Sequence, residues 1–170
     1  MSTSIIQIVG FKNTGKTTLT AALVKQLAEA GFRVGTIKHD GHHFDIDHPG
    51  TDTWQHREAG AHKIAITSPH RTAIMEQRPT PLKELLQQFS DMDWVIVEGF
   101  KQECYPKIVL IREEEDEALV KQLEQVVAVA AWYPVRFEGL PVFAVQDSAG
   151  MAAWMQEGRG KGAFELGEPT

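Results

Sequence analysis

Two glycines, two lysines and three threonines lie close together near the start of the chain, in Gly10-Phe11-Lys12-Asn13-Thr14-Gly15-Lys16-Thr17-Thr18. The spacing satisfies G-x-x-x-x-G-K-[ST], a phosphate-binding loop. Gly10 and Gly15 permit tight backbone geometry. Successive N–H groups across Asn13, Thr14 and Gly15 can then converge on phosphate oxygens. Lys16 is placed to reach the β- and γ-phosphates, and the Thr17 hydroxyl to ligate Mg²⁺, with Thr18 near the α-phosphate. A glycine-rich turn that binds nothing is the competing reading; the full-length motif and its flanks weigh against it. The second motif position is Phe11, so the two-lysine form of the loop used by some dimeric ATPases is absent. Lys12, one place later, reads as a surface residue or a partner contact.

A carboxylate with matching chemistry closes the apolar run Trp94-Val95-Ile96-Val97-Glu98-Gly99. An acid at a strand end beside the Mg²⁺ shell is the second element of phosphate-loop proteins. Here Glu98 takes the place of the more usual aspartate, and Gly99 lets the backbone pass close to the γ-phosphate. Lys101 follows and can neutralise phosphate or a partner's charge.

The segment from Lys38 to Gly50 holds four of the chain's seven histidines and three aspartates. It is too polar for core and too punctuated by glycine and proline for a helix. Three readings stay open. Asp45 or, preferably, Asp47 holds Mg²⁺ directly or through water. Alternatively His39, His42, His43 and Asp40 form a transition-metal site, since imidazole suits zinc or nickel. The last reading is a solvated loop with incidental histidines.

These residues need elements to position them. Ile5 to Val9 reads as a buried strand. Lys16 to Ala30 reads as a helix with Leu19, Leu23 and Leu27 on one stripe, stopped by Gly31. Residues 32–37 read as the next strand, making a parallel β-α-β unit. Thr51 to Ala59 reads as a short helix capped at Thr51 or Asp52. Residues 63–67 and 72–76 read as a hairpin extending one edge of the sheet, with Arg71 in its turn. A helix from Pro81 carries Leu82, Leu85, Leu86 and Phe89. Strands follow at 93–98, 105–111, 126–131 and 141–145, then a helix capped by Asp147 or Ser148. The acidic run Glu113–Glu117 is a solvated turn or a helix start. The pattern predicts a three-layer α/β/α fold with a mostly parallel sheet and an antiparallel hairpin extension. Residues 1–157 are expected to form a single nucleotide-binding domain, and residues 158–170 a mobile tail.

Composition narrows the function class. The chain has 170 residues, one cysteine and a formal net charge of −6. A nucleic-acid partner would call for a basic stripe, so none is expected. No apolar run has the length of a membrane span, and the first strand begins too early for a signal peptide. Cys104 cannot pair within the chain and reads as incidental. A cytoplasmic protein is expected.

The residues leave the base open. No Asn/Thr-Lys-x-Asp segment reads guanine; Trp132 and Asp147 follow late strands where a base could border. No Asp-x-x-Gly-Gln segment orients water, so hydrolysis is expected to be slow.

Taken together, the loop, Ile37-Lys38-His39-Asp40, the segment from Asp45 to Gly50 with Asp52, and Val97-Glu98-Gly99-Phe100-Lys101 resemble the molybdopterin-guanine dinucleotide biosynthesis protein B (MobB) family in order and spacing. The resemblance runs from Ile5 to the last helix. It implies a P-loop NTPase-like GTP-binding accessory protein of molybdenum cofactor maturation. Such a protein assists a guanylyltransferase that joins GMP to molybdopterin, and is typically a homodimer. GTP and Mg²⁺ are the implied ligands, and molybdopterin itself a further one. Trp132 departs from the Ser-Asp expected after the corresponding strand. The alternatives are an ATP-dependent small-molecule kinase or ligase, drawing on Arg71 and Arg78, and a metallochaperone GTPase using the histidine-rich loop.

Overall fold

The structure is a computed structural model that describes residues 2–41 and 43–165. The chain folds as two compact units. One joins the residues up to His39 with those from Leu82 onward, and the other is Asp40–Pro81. The sequence reading has residues 1–157 as a single domain.

The larger unit is built on six strands: β1 (Ser4–Val9), β2 (Val34–Lys38), β3 (Trp94–Glu98), β4 (Lys107–Ile111), β5 (Val126–Ala131) and β6 (Val142–Ala144). Their spatial order is β2-β3-β1-β4-β5-β6, and every registered pair is parallel. Parallel neighbours force crossover helices, which cover both faces. The central strands are therefore apolar at almost every position, and β1, β3 and β4 are buried throughout.

The two-residue alternation of the strands sorts their side chains. Ile6 and Ile8 of β1 face α1 (Lys16–Glu29) and α5 (Ser148–Gly160), meeting Leu19, Leu23, Leu27, Met151 and Met155. Val9 faces the opposite side with Leu119 and Val120 of α4 (Glu117–Gln122). Ile5 faces that side too, with Leu82 and Leu86 of α3 (Leu82–Gln87). The expected three layers follow from this division. Glu113 and Asp116 close a reciprocal capping box ahead of α4, so the acidic run starts a helix.

The smaller unit holds α2 (Asp52–Glu58) and an antiparallel pair, β7 (Lys63–Ser68) and β8 (Arg71–Glu76). The Thr51 hydroxyl caps α2 by accepting from Trp54 N at 3.2 Å. The expectation that this hairpin extends an edge of the main sheet is corrected: the pair is a sheet of its own. The reason lies in its side chains. Ile64 is its one buried residue, and Ile66 and Ile74 are exposed, so neither strand presents the buried face of a core strand.

The expected tail at 158–170 is also corrected over its first half. α5 runs to Gly160, and Phe164 is 1% exposed. Its ring meets Trp94 at 5.4 Å and Trp154 at 5.4 Å between centroids. Ile5 N donates to Phe164 O at 3.0 Å, and Glu165 bridges Ser4. Burial of this ring contributes to ordering the turn that carries it. Residues 166–170 lie outside the described residues.

Candidate functional site

The carboxyl ends of parallel strands gather ligand-binding groups at one edge of a sheet. Here the strand order sets five such groups in a row. Lys38 ends β2 and Glu98 ends β3. The loop of residues 10–15 leaves β1. Arg112 follows β4, and Trp132 follows β5.

The phosphate loop has the backbone that its glycines imply. A Cβ on Gly10 would lie 2.9 Å from both Leu110 O and Thr14 Oγ1, so only glycine lets β1 turn here against β4. Asn13 has φ 64° and Gly15 φ 98°, both left-handed. Thr14 is buried, and its hydroxyl donates to Phe11 O at 3.0 Å, closing the turn from inside. Gly15 stands just before α1, and its carbonyl accepts the first helical bond from Leu19 N. The helix N-terminus thus opens at the loop and favours anions there.

Lys16 bends back over the loop and donates to Phe11 O at 2.6 Å. Burial holds its ammonium below the ordinary lysine pKa; Glu98 works against that shift, while Lys38 and Lys101 add to it. Such a partly desolvated cation gains when an anion arrives.

Thr17 and Glu98 meet as the sequence predicts. The Thr17 hydroxyl donates to Glu98 Oε1 at 2.8 Å. Glu98 is nearly buried, in register with Ile8 on one side and Lys38 on the other. Lys38 Nζ lies 2.5 Å from the same Oε1 and 3.4 Å from Thr17 Oγ1. A hydroxyl and a carboxylate, both hard oxygen donors, therefore converge, which suits Mg²⁺. Gly99 has φ 93°, and a Cβ there would sit 3.2 Å from His39 Cβ. Gln7 of β1, fully buried, donates its amide to the carbonyls of Gly99 (3.0 Å) and Phe100 (2.8 Å), tying this turn to the strand that feeds the loop. Thr18 is exposed on the first turn of α1.

The residues that sequence reasoning underrated are Lys38, Arg112 and Trp132. Arg112 Nη1 donates to Asn13 O at 2.9 Å, and the Trp132 indole N–H donates to Thr14 O at 2.7 Å. A basic residue directly after a buried parallel strand is the signal that was available for Arg112.

The predicted acidic ligands of the histidine-rich segment belong to the smaller unit and have local partners. Asp45 accepts from Arg57 Nη1 through both oxygens at 2.9 Å, which holds its carboxyl below the usual range. Asp47 Oδ1 accepts from Thr51 (2.7 Å), Thr53 (3.0 Å) and His48 N (3.1 Å); these bonds, the Thr51 hydroxyl first, lower its pKa. Asp47 Oδ2 is buried without a hydrogen-bond partner. His39, in the larger unit, packs its ring on Phe100 at 4.6 Å. His42 lies outside the described residues. Among the described residues, no three His, Cys, Asp or Glu side chains are arranged to hold a metal ion. Of the arginines considered for a kinase, Arg78 pairs with Glu76 at 2.8 Å and Arg71 begins β8. Asp147, one candidate to border a base, caps α5 by accepting from Gly150 N at 2.9 Å.

A parallel sheet with strand, phosphate loop and helix in this order, and a strand-end acid beside the loop threonine, defines a P-loop NTPase-like protein. Residues 5–132 match the family model described as molybdopterin guanine dinucleotide synthesis protein B. The chain belongs to this family, MobB. Among its relatives is the molybdopterin-guanine dinucleotide biosynthesis adapter protein of Haemophilus influenzae, 41% identical over 79% of this chain and 78% of that one. The protein of the same name from Escherichia coli is 36% identical, over 92% of this chain and 95% of that one. A MobB homologue crystal structure from Bacillus stearothermophilus superposes with TM-score 0.73 at 34% identity, covering 92% of this chain and 98% of that one.

Proposed function

We propose that this protein is a nucleotide-holding adaptor in molybdenum cofactor biosynthesis, binding GTP with Mg²⁺ and assisting a guanylyltransferase that joins GMP to molybdopterin. The observation that carries the reading is the meeting of Lys16, Thr17 and Glu98 at the mouth of a phosphate loop. The loop N–H groups and Lys16 bind the phosphates. Thr17 and Glu98 hold Mg²⁺, which supplies charge neutralisation to the nucleotide. Gly99 leaves room for the chain to turn at that edge.

The choice of GTP over ATP rests on the guanine dinucleotide in the names of the relatives, and the adaptor role on the same names. Intrinsic hydrolysis is slow in this reading. The protein acts as a homodimer in the cytoplasm, with a guanylyltransferase as partner and molybdopterin as a further ligand. No described helix is long and apolar enough to cross a membrane.

Calorimetric titration with GTP and ATP, with and without Mg²⁺, tests the reading. GTP is expected to bind more tightly than ATP, Mg²⁺ to strengthen binding, and Lys16→Ala to abolish it. Equal binding by the Lys16→Ala protein, or no binding by wild type, overturns the proposal.

A further inference from the structure

Trp132 is a large aromatic residue left 47% exposed, yet its indole is not idle. Its N–H donates to Thr14 O at 2.7 Å, and a Cβ on Gly15 would lie 3.2 Å from its Cζ2. The Arg112 guanidinium stands 5.8 Å from the centre of the same ring and donates to Asn13 O at 2.9 Å. Two side chains from neighbouring strand ends thus hold two consecutive carbonyls of the phosphate loop.

Carbonyl and N–H point in opposite directions across a trans peptide, and no described peptide bond is cis. The peptide whose carbonyl Arg112 holds carries the N–H of Thr14. The peptide whose carbonyl Trp132 holds carries the N–H of Gly15. Both N–H groups therefore face away from their anchors, in the part of the loop where left-handed Asn13 and Gly15 shape an anion-binding concavity. We propose that Trp132 and Arg112 are positioning residues for phosphate: they hold the Thr14 and Asn13 carbonyls outward and so preset the Gly15 and Thr14 amides as phosphate donors. Without them these peptides are free to rotate, and phosphate binding must meet the cost of ordering them.

The inference rests on the nucleotide-binding reading and is tested so that the two can fail separately. Trp132→Phe keeps an aromatic ring at this position but removes the N–H donor and the indole edge that lies against Gly15. Arg112→Met removes the other anchor from an exposed position. Each variant is titrated with inorganic pyrophosphate, GTP and ATP. Each is expected to weaken all three by the same factor, about fivefold for one lost hydrogen bond. The thermal midpoint falls by no more than about 2–4 °C, the scale of one lost hydrogen bond, and the amide resonances of Thr14 and Gly15 shift in the ligand-free ¹H–¹⁵N spectrum. Weakened nucleotide binding with unchanged pyrophosphate binding would make Trp132 a base platform and overturn the inference. Unchanged binding of all three by both variants overturns it while leaving the nucleotide reading intact. A wild-type protein that binds none of them overturns both.

Discussion

The Thr17 hydroxyl and the Glu98 carboxylate meet at 2.8 Å across the start of a helix and the end of a strand that lie 81 residues apart in the chain. Neither residue is a metal ligand by type alone. Their convergence beside the phosphate loop is what the proposed Mg²⁺ site rests on. Thr17→Ala and Glu98→Gln are each expected to lower Mg²⁺-supported GTP affinity about tenfold, the scale of one lost contact to a charged group. Binding measured in EDTA should change less than about threefold, since the amides and Lys16 remain. Titrations of each variant with and without Mg²⁺ check this.

Lys38 shares Glu98 Oε1 with Thr17. At the proposed Mg²⁺ site the ammonium and the metal would therefore compete for that oxygen. Lys38→Met is expected to raise Mn²⁺ affinity in the presence of GDP by about three- to tenfold, the range of one half-exposed charge contact. Electron paramagnetic resonance of free Mn²⁺ measures this directly. Unchanged or weaker affinity would mean that Lys38 does not compete there.

The lowered pKa of Lys16 gives phosphate binding an alkaline limit. The ammonium must be charged to hold phosphate, and its folded pKa lies below 10.5, chiefly through burial. Affinity is full at pH values below that folded pKa and falls as pH rises through it, because bound phosphate favours the protonated form. Lys101→Met removes one neighbouring positive charge, so the falling limb should move to higher pH. Pyrophosphate titration from neutral to alkaline pH reads the shift.

Phe164 is expected to matter for stability despite its place in a segment that reads as tail. Phe164→Ala leaves a hole against Trp94 and Trp154 and should cost about 3–5 kcal/mol. For a chain of this size each kcal/mol lowers the melting midpoint by about 2–4 °C. Truncation before residue 164 should do the same.

That segment also shows where sequence reading reaches its end. Strands β1, β3 and β4 announce themselves, because burial on both faces demands continuous apolar residues. The phosphate loop does so because backbone geometry restricts its residue types. Thr17 and Glu98 are legible for the same reason, each fixed to the terminus of such an element. Phe164 is not, since a short apolar cluster of Ala163, Phe164 and Leu166 among glycines and charges carries no periodicity. Trp132 and Arg112 escape as well: they act on carbonyls, and a hydrogen bond to the backbone leaves no mark in the composition of its target. The hairpin's independence from the main sheet goes with the exposure of Ile66 and Ile74, whose residue type alone suggests burial.

The position of β1 bears on how the chain comes to be folded. Ser4 pairs with Trp94, and Gln7 with Lys107. β1 therefore occupies the middle of the sheet, while both of its partners lie roughly 90–100 residues later in the chain. Pairings this distant in sequence form slowly, and an unpaired apolar strand invites association in the interval. Refolding yield at micromolar concentration should accordingly depend on protein concentration, and a nascent chain arrested before β3 emerges should be a substrate for holdase chaperones.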